Sequence, residues 1–241
     1  MDAQINQFFT ECYEGNWYLS SRAEVLAAAI NHICSDEPLC RVVDIGAGTG
    51  AILSRVKVGA APVGIEGDWG LARIGRTTYN MTFVVADLSR GVPLSNRSVD
   101  VVLALDVLEH LENDRSMMDD LFRVLRPSGR LVISVPAFQS LWSRHDELHH
   151  HKRRYSKRQL LNMITSTGFG CTRVTYFNSL LFPFVYACRK LEPFTRPSAS
   201  DYEKLATWAG ALGAVFRLES RIIPYWNLPI GVSLLAVATK P

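Results

Sequence analysis

A chain of 241 residues, 48% of them hydrophobic, is long enough for one or two domains around a sizeable buried core. Ordinary apolar content with 20% charged residues excludes a disordered, collagen-like or coiled-coil chain. The net charge of +3 conceals a split: residues 1–140 carry 12 basic and 17 acidic side chains, whereas residues 141–241 carry 14 and 6, which points to an acidic partner for the second part.

In chain order, residues 4–33 read as helical, and the short apolar run Val42-Val43-Asp44-Ile45 then has the form of a buried parallel strand. It opens directly into Gly46-Ala47-Gly48-Thr49-Gly50, which leads to a helix expected over residues 51–57. Further strands are expected at 62–66, 82–86, 99–105, 130–135, 171–177 and 231–239. Met118, Leu121, Phe122 and Leu125 recur at helical spacing until Pro127-Ser128-Gly129 breaks the pattern. Ser156-Lys157-Arg158-Gln159 has the form of a capping box, opening a helix that runs to Thr167 and stops at Gly168. Strands alternating with helices imply crossover connections and a parallel sheet covered on both faces.

Two segments stand outside that alternation. The N-terminal helix precedes the first strand, and more than fifty residues separate the strand ending at Phe177 from the last one. That stretch holds two apolar helical patterns, residues 179–190 and 202–221, divided by Pro193 and Pro197. The expected organisation is an N-terminal helical cap over 1–35, an α/β core over 36–176, a helical insertion or lid over 177–230, and a final core strand over 231–241. Both helical pieces are expected to cover the carboxyl edge of the sheet.

The five cysteines (Cys12, Cys34, Cys40, Cys171, Cys188) are odd in number, scattered and without C-x-x-C spacing. With a polar start, Met1-Asp2-Ala3-Gln4, they predict reduced thiols in the cytoplasm. No apolar run reaches the roughly 18 residues of a spanning helix. The nearest, residues 205–216, ends at Arg217. Its apolar positions Leu205, Trp208, Ala209, Leu212 and Phe216 serve either core packing, a wall for a lipid-linked substrate, or peripheral contact with the inner membrane face.

The glycine loop after the first strand allows close backbone approach to a ligand, and Glu66 ends the next strand twenty residues after Gly46, where a carboxylate can accept from ribose hydroxyls. This combination indicates a nucleoside cofactor. Gly46-Ala47-Gly48-Thr49-Gly50-Ala51 also fits the dinucleotide pattern, so NAD stands as the alternative. The stretch from Val42 to Gly50 resembles the first motif of the class I S-adenosylmethionine-dependent methyltransferases. Glu66, Ala86-Asp87-Leu88, Asp106-Val107-Leu108-Glu109-His110 and Leu125-Arg126-Pro127-Ser128-Gly129-Arg130 follow in that family's order, and the likeness extends to the small-molecule, type 11/12-like bacterial subgroup.

The resemblance implies a doubly wound, seven-stranded, mostly parallel Rossmann-like sheet with an antiparallel last strand and a helical insertion before it. It implies S-adenosyl-L-methionine as cofactor, held by Asp44, Gly46, Ala47, Gly48, Gly50, Glu66 and Gly67, by Ala86, Asp87 and Leu88, and by Leu105, Asp106 and Val107. An aromatic pair and arginine before the first motif, Trp17-Tyr18 and Arg22, match a subgroup element that would cover the cofactor's methionine end. The other reading is an aromatic pair packed in the core.

The acceptor side is less defined. A general base is needed only where the acceptor loses a proton, and His110 is the candidate. His145-Asp146-Glu147-Leu148-His149-His150-His151 sets His145 and His149 at helical i, i+4 spacing, a possible metal pair. A substrate role for His145, His149 and His151 is the expectation, with no metal assigned. The subgroup's His-x-Arg-Arg-Tyr element falls on His151, Arg153, Arg154 and Tyr155, where arginine forks suit an anionic substrate group. A nucleic-acid partner is not expected, because this basic strip is short and unaccompanied. The function implied is methyl transfer to a small or lipid-linked anionic acceptor. Alternatives are an NAD oxidoreductase, or a non-catalytic membrane- or RNA-binding module on the same fold.

Overall fold

The computed structural model describes residues 16–36, 40–58, 60–191 and 199–241, without the side chains of 191 and 199–207. The expected helix start at residue 4, Cys12, Pro193, Pro197 and the side chain of Leu205 therefore lie outside the described residues.

Seven strands form one sheet: β1 Val42–Ile45, β2 Val63–Glu66, β3 Thr82–Val85, β4 Val99–Leu105, β5 Leu125–Pro136, β6 Gly170–Phe177 and β7 Ser233–Thr239. Their order is β3-β2-β1-β4-β5-β7-β6, and β7 runs antiparallel to both neighbours while the first five are parallel. The helices are α1 Trp17–Ile33, α2 Trp69–Tyr79, α3 Asp114–Val124, α4 Arg144–Leu148, α5 Lys157–Ser166, α6 Phe182–Leu191 and α7 Ala199–Leu218. This is the doubly wound, mostly parallel sheet with an antiparallel last strand that the resemblance implied.

Local chemistry sets the helix ends. Asn16 caps α1 by accepting from the Tyr18 and Leu19 amides, Asp68 caps α2 through the Leu71 amide, and Asn113 caps α3 through Ser116. The capping box of Ser156 and Gln159 is present at α5, and Gly168, at φ +102°, follows its end.

Period-two burial divides the core between the two faces. Val102, Ala104, Leu131 and Ile133 pack with α3 and α5, while Val101, Leu103, Val132 and Leu235 pack with Leu26 and Ile30 of α1 and Phe216 of α7. The body of α1 thus covers a sheet face, and only its start, Asn16 to Ala23, reaches the cavity at the carboxyl edge. That corrects the expected cap. Phe216 and Leu212 resolve into core packing, with Phe216 stacked on Tyr18 at 5.6 Å, whereas Trp208 is exposed.

The helix expected over 51–57 is reduced to turns and a 3₁₀ segment, Leu53–Arg55. Asn31 of α1 explains this. Its side chain accepts from the Lys57 amide at 2.6 Å and donates to the Arg55 carbonyl at 3.1 Å, diverting backbone groups that a continuing helix would pair internally. Ser54 and Arg55 also turn back onto the Ala51 carbonyl.

Past β6 the chain turns at Asn178, which has φ +55°. Buried Glu219, just after α7, accepts from the amides of Asn178 at 2.7 Å, Ser179 at 2.6 Å and Leu180 at 2.8 Å. Glu219→Ala leaves three amides without this acceptor and is expected to cost about 3 kcal/mol or more, read as a lower midpoint in urea unfolding.

Candidate active site

The parallel strands bring four segments to one edge. Because β3, β2, β1 and β4 are neighbours, their carboxyl ends align Ala86-Asp87-Leu88, Glu66-Gly67, the glycine loop and Leu105-Asp106-Val107 in a row. Gly46, Gly48 and Gly50 all have positive φ (71°, 56° and 74°), a conformation that leaves their backbone accessible. A Cβ on Gly46 would stand 2.6 Å from Val107 Cγ2, so loop and β4 are fitted together at that point. Glu66 braces the same loop, accepting from the Gly48 amide at 2.7 Å and from Asp68 at 2.9 Å. The Asp44 carboxyl is buried with Oδ1 unpartnered, and burial, Glu66 and Asp106 raise it well above the ordinary carboxylate range. Asp87 is exposed and held below its usual value by hydrogen bonds from Ser89.

From this row a cavity of about 620 Å³ extends between α1 and the loop after β5. Its walls include Tyr18, Arg22, Gly46, Ala47, Gly48, Leu105, Asp106, Glu109 and His110, then His145, His149, His151, Arg154 and Arg189. Arg22 forms an ion pair with Asp106, lies 4.6 Å over the Phe177 ring, and sits within 3.4 Å of the Ser134 and Ser233 hydroxyls. Asp106 itself has φ +57° and accepts from Ser134 at 3.0 Å.

Asp146 organises the opposite end. Wholly buried, it accepts from Arg154 Nε at 2.8 Å and the Ser143 amide at 3.0 Å, faces His151 Nδ1 at 2.8 Å, and has Arg189 at 3.5 Å. Burial opposes its charge, but the His151 and Arg154 hydrogen bonds prevail and hold the carboxyl well below its usual range. The imidazoles shift the other way. Desolvation, then His149 and Arg189, push His145 down to about 4, and desolvation with His151 lowers both His110 and His149. Burial and Asp106 raise Glu109 well above the carboxylate range.

Not every expected residue reaches the cavity. Trp17 packs edge-on against Tyr18, which is the aromatic that lines the wall. Arg153 pairs with Asp114 at 3.1 Å and donates to the Leu111 and Glu112 carbonyls, and Tyr155 is buried with its hydroxyl on Asp114 at 2.8 Å. Both are turned away by one carboxylate and tie the loop to α3, which corrects their expected substrate role. Asp44, Gly50, Glu66, Gly67, Ala86, Asp87, Leu88 and Val107 stand behind or beside the cavity wall, with Leu88 and His110 bordering a second hollow of about 400 Å³. Glu109, Asp146 and Arg189 went unassigned. In the sequence Glu109 adjoins His110 and Asp146 adjoins His145 within the quoted motifs, and no motif contains Arg189.

Residues 43–133 match the family model of the methyltransferase domain, and the seven-stranded sheet with its antiparallel last strand and the glycine loop described above are the features that the resemblance implied. Over those residues the chain is similar to a methyltransferase domain. A relative from Mycolicibacterium smegmatis, named for S-adenosylmethionine-dependent methyl transfer, is 30% identical over 123 residues, 51% of this chain and 46% of its own. Demethylmenaquinone methyltransferase of Tropheryma whipplei is 36% identical over 98 residues, 38% and 40% of the two chains. The chain spans less than half the length of these curated relatives. A solved S-adenosylmethionine-dependent methyltransferase from Archaeoglobus fulgidus shares the fold across 99% of this chain and 100% of its own, with a TM-score of 0.62 at 19% identity.

The domain's residues fit S-adenosylmethionine. Burial, with Glu66 and Asp106 at the ends of the adjacent strands, raises the cost of ionising Asp44, which retains an unpartnered buried oxygen. A cationic nucleoside with hydroxyl and amine donors is the complementary ligand. The two arginines of the loop should separate experimentally. Arg153→Ala is expected to cost about 1 kcal/mol and to leave S-adenosylhomocysteine binding intact, because that pair is partly exposed. Arg154→Ala strips the buried Asp146 of a partner and should cost about 3–5 kcal/mol in urea unfolding.

Proposed function

We propose that the chain moves a methyl group from S-adenosylmethionine to a small or lipid-linked acceptor carrying an anionic group. The observation that carries this reading is continuity: one cavity joins the glycine loop to the end closed by His110, the post-β5 histidines, Arg154 and Arg189. Bound S-adenosylmethionine supplies an electrophilic methyl on a sulfonium, so the chain's own work is alignment and exclusion of water. Such alignment is worth roughly 7–11 kcal/mol in well-oriented reactions. Arg22 seats α1 against Asp106 and so closes one wall of the cavity.

At the far end the guanidiniums of Arg154 and Arg189 line the cavity beside Asp146, and guanidinium forks suit an anionic group. His110 is held below the usual imidazole value, and its ring bonds to the His149 backbone. A neutral imidazole there suits proton acceptance from a hydroxyl acceptor. The Tropheryma relative is named for demethylmenaquinone, which supports an extended apolar acceptor. Exposed Trp208, Tyr225 and Trp226 support a membrane-surface component in this reading, and among the described residues no helix is long and apolar enough to cross a bilayer.

Calorimetry with S-adenosylhomocysteine tests the reading. Micromolar binding is expected, abolished in the double variant Glu66→Ala/Gly48→Val, which removes the loop's brace and places a β-branched side chain at φ +56°. Binding of NADH in its place would reassign the chain to the oxidoreductases. Salt-sensitive retention on liposomes or RNA, with no turnover of labelled methyl groups, would make it a binding module.

A further inference from the structure

Glu109 is 1% exposed, and neither of its carboxylate oxygens has a hydrogen-bond partner. Buried carboxylates are ordinarily paired, hydrogen-bonded or bound to a cation. Its immediate neighbours here are two imidazoles. One ligand atom each from Glu109, His110 and His151 lie within 4.8 Å of one another, and the two rings stand 4.8 Å apart at a steep angle of 78°.

The imidazoles are oriented from behind. Asp146 faces His151 Nδ1 at 2.8 Å and is itself pinned by Arg154, so this ionised carboxylate can only accept. Nδ1 is therefore the nitrogen engaged with Asp146, which leaves Nε2 to meet a ligand. A carboxylate backing a histidine in this way is the usual outer shell of a metal ligand. His110 bonds to the His149 backbone, which commits one of its nitrogens and leaves the other.

We propose that Glu109, His110 and His151 bind a divalent first-row transition ion, of which zinc is the type, at the acceptor end of the cavity. Two imidazole nitrogens and one carboxylate oxygen form a three-ligand set that leaves a coordination position open. That position faces the cavity, which all three residues line. His110 is exposed, so its side chain can close the remaining separation. The site differs from the i, i+4 pair visible in the sequence: His145 and His149 lie on the cavity wall, with ring centroids 6.4 and 6.0 Å from His151, outside the ligand set. The ion's role, though not its binding, rests on the methyl-transfer reading: it would anchor an anionic oxygen of the acceptor, and His110 would then serve as a ligand instead of a base.

The full chain, stripped with chelator and dialysed against Zn²⁺, is expected to retain one ion per chain by mass spectrometry. Co²⁺ in its place should give the visible absorption of a low-coordinate nitrogen and oxygen site. Glu109→Gln and His151→Ala should each weaken binding at least tenfold, and Asp146→Asn, one shell out, roughly 10–100-fold. His150→Ala, outside the ligand set, should change nothing. Glu109→Gln preserves shape and carries the test should His151→Ala fail to fold. No stoichiometric ion, or an ion that survives Glu109→Gln and is lost in His145→Ala/His149→Ala, overturns the site. S-adenosylhomocysteine calorimetry on the same samples keeps the two ideas apart. Zinc bound without nucleoside binding would sink the methyl-transfer reading alone, and nucleoside binding without zinc would sink the metal site alone.

Discussion

The ion pair between Arg22 and Asp106 is the contact on which the site depends. A guanidinium on a sheet-covering helix is costly to bury, and Asp106 repays that by raising the Arg22 pKa against the effect of burial. The geometry reaches further than the pair. Arg22 lies over Phe177 at the end of β6 and near the hydroxyls of Ser134 on β5 and Ser233 on β7, so one side chain references α1 to the carboxyl ends of β4, β5 and β6 and to the amino end of the antiparallel β7. Asp106 can meet it because its backbone adopts the left-handed region just after β4, an uncommon conformation in a non-glycine residue and one held here by several partners.

Asp146 plays the complementary part at the acceptor end. It sits in the short helix α4 with the burial of a core residue, and the groups around it are the ones that define the chemistry of that end: His151, Arg154 and Arg189. The positive second part of the chain thus contributes less free charge to the cavity than its composition suggests. Arg153 is absorbed by Asp114, Arg173 by the carbonyls of Ile223, Pro224 and Trp226, and Arg154 by Asp146. What reaches the cavity is a set of desolvated imidazoles and two guanidiniums sharing one carboxylate.

Most of the sheet was legible because buried parallel strands leave apolar runs bounded by glycine and turn residues, and β4 matches its expected range, Val99–Leu105. The capping box at Ser156 was equally local and equally readable. Failures occurred where a distant residue decides. Nothing within residues 51–57 reveals that Asn31, on another helix, takes their backbone groups. Likewise Arg153 and Arg154 are adjacent and chemically identical, and only the positions of Asp114 and Asp146 separate a structural arginine from one at the cavity. The isolation of Glu109 is a property of the folded packing, invisible in a motif that seemed to end in a single functional histidine.

The placement of β7 has a consequence for how the molecule is assembled. Among the described residues β6 pairs with no strand except β7, and β7 is inserted between β6 and β5. During synthesis β6 therefore leaves the ribosome with both edges open, and stays so until residues 233–239 follow it, more than fifty positions later. Across that interval α6, α7 and the turn held by Glu219 have half of their platform missing. The first five strands can pair in parallel beforehand, but the far side of the sheet, and the wall that Ser233 gives to the cavity, can only be completed in a late step of high contact order.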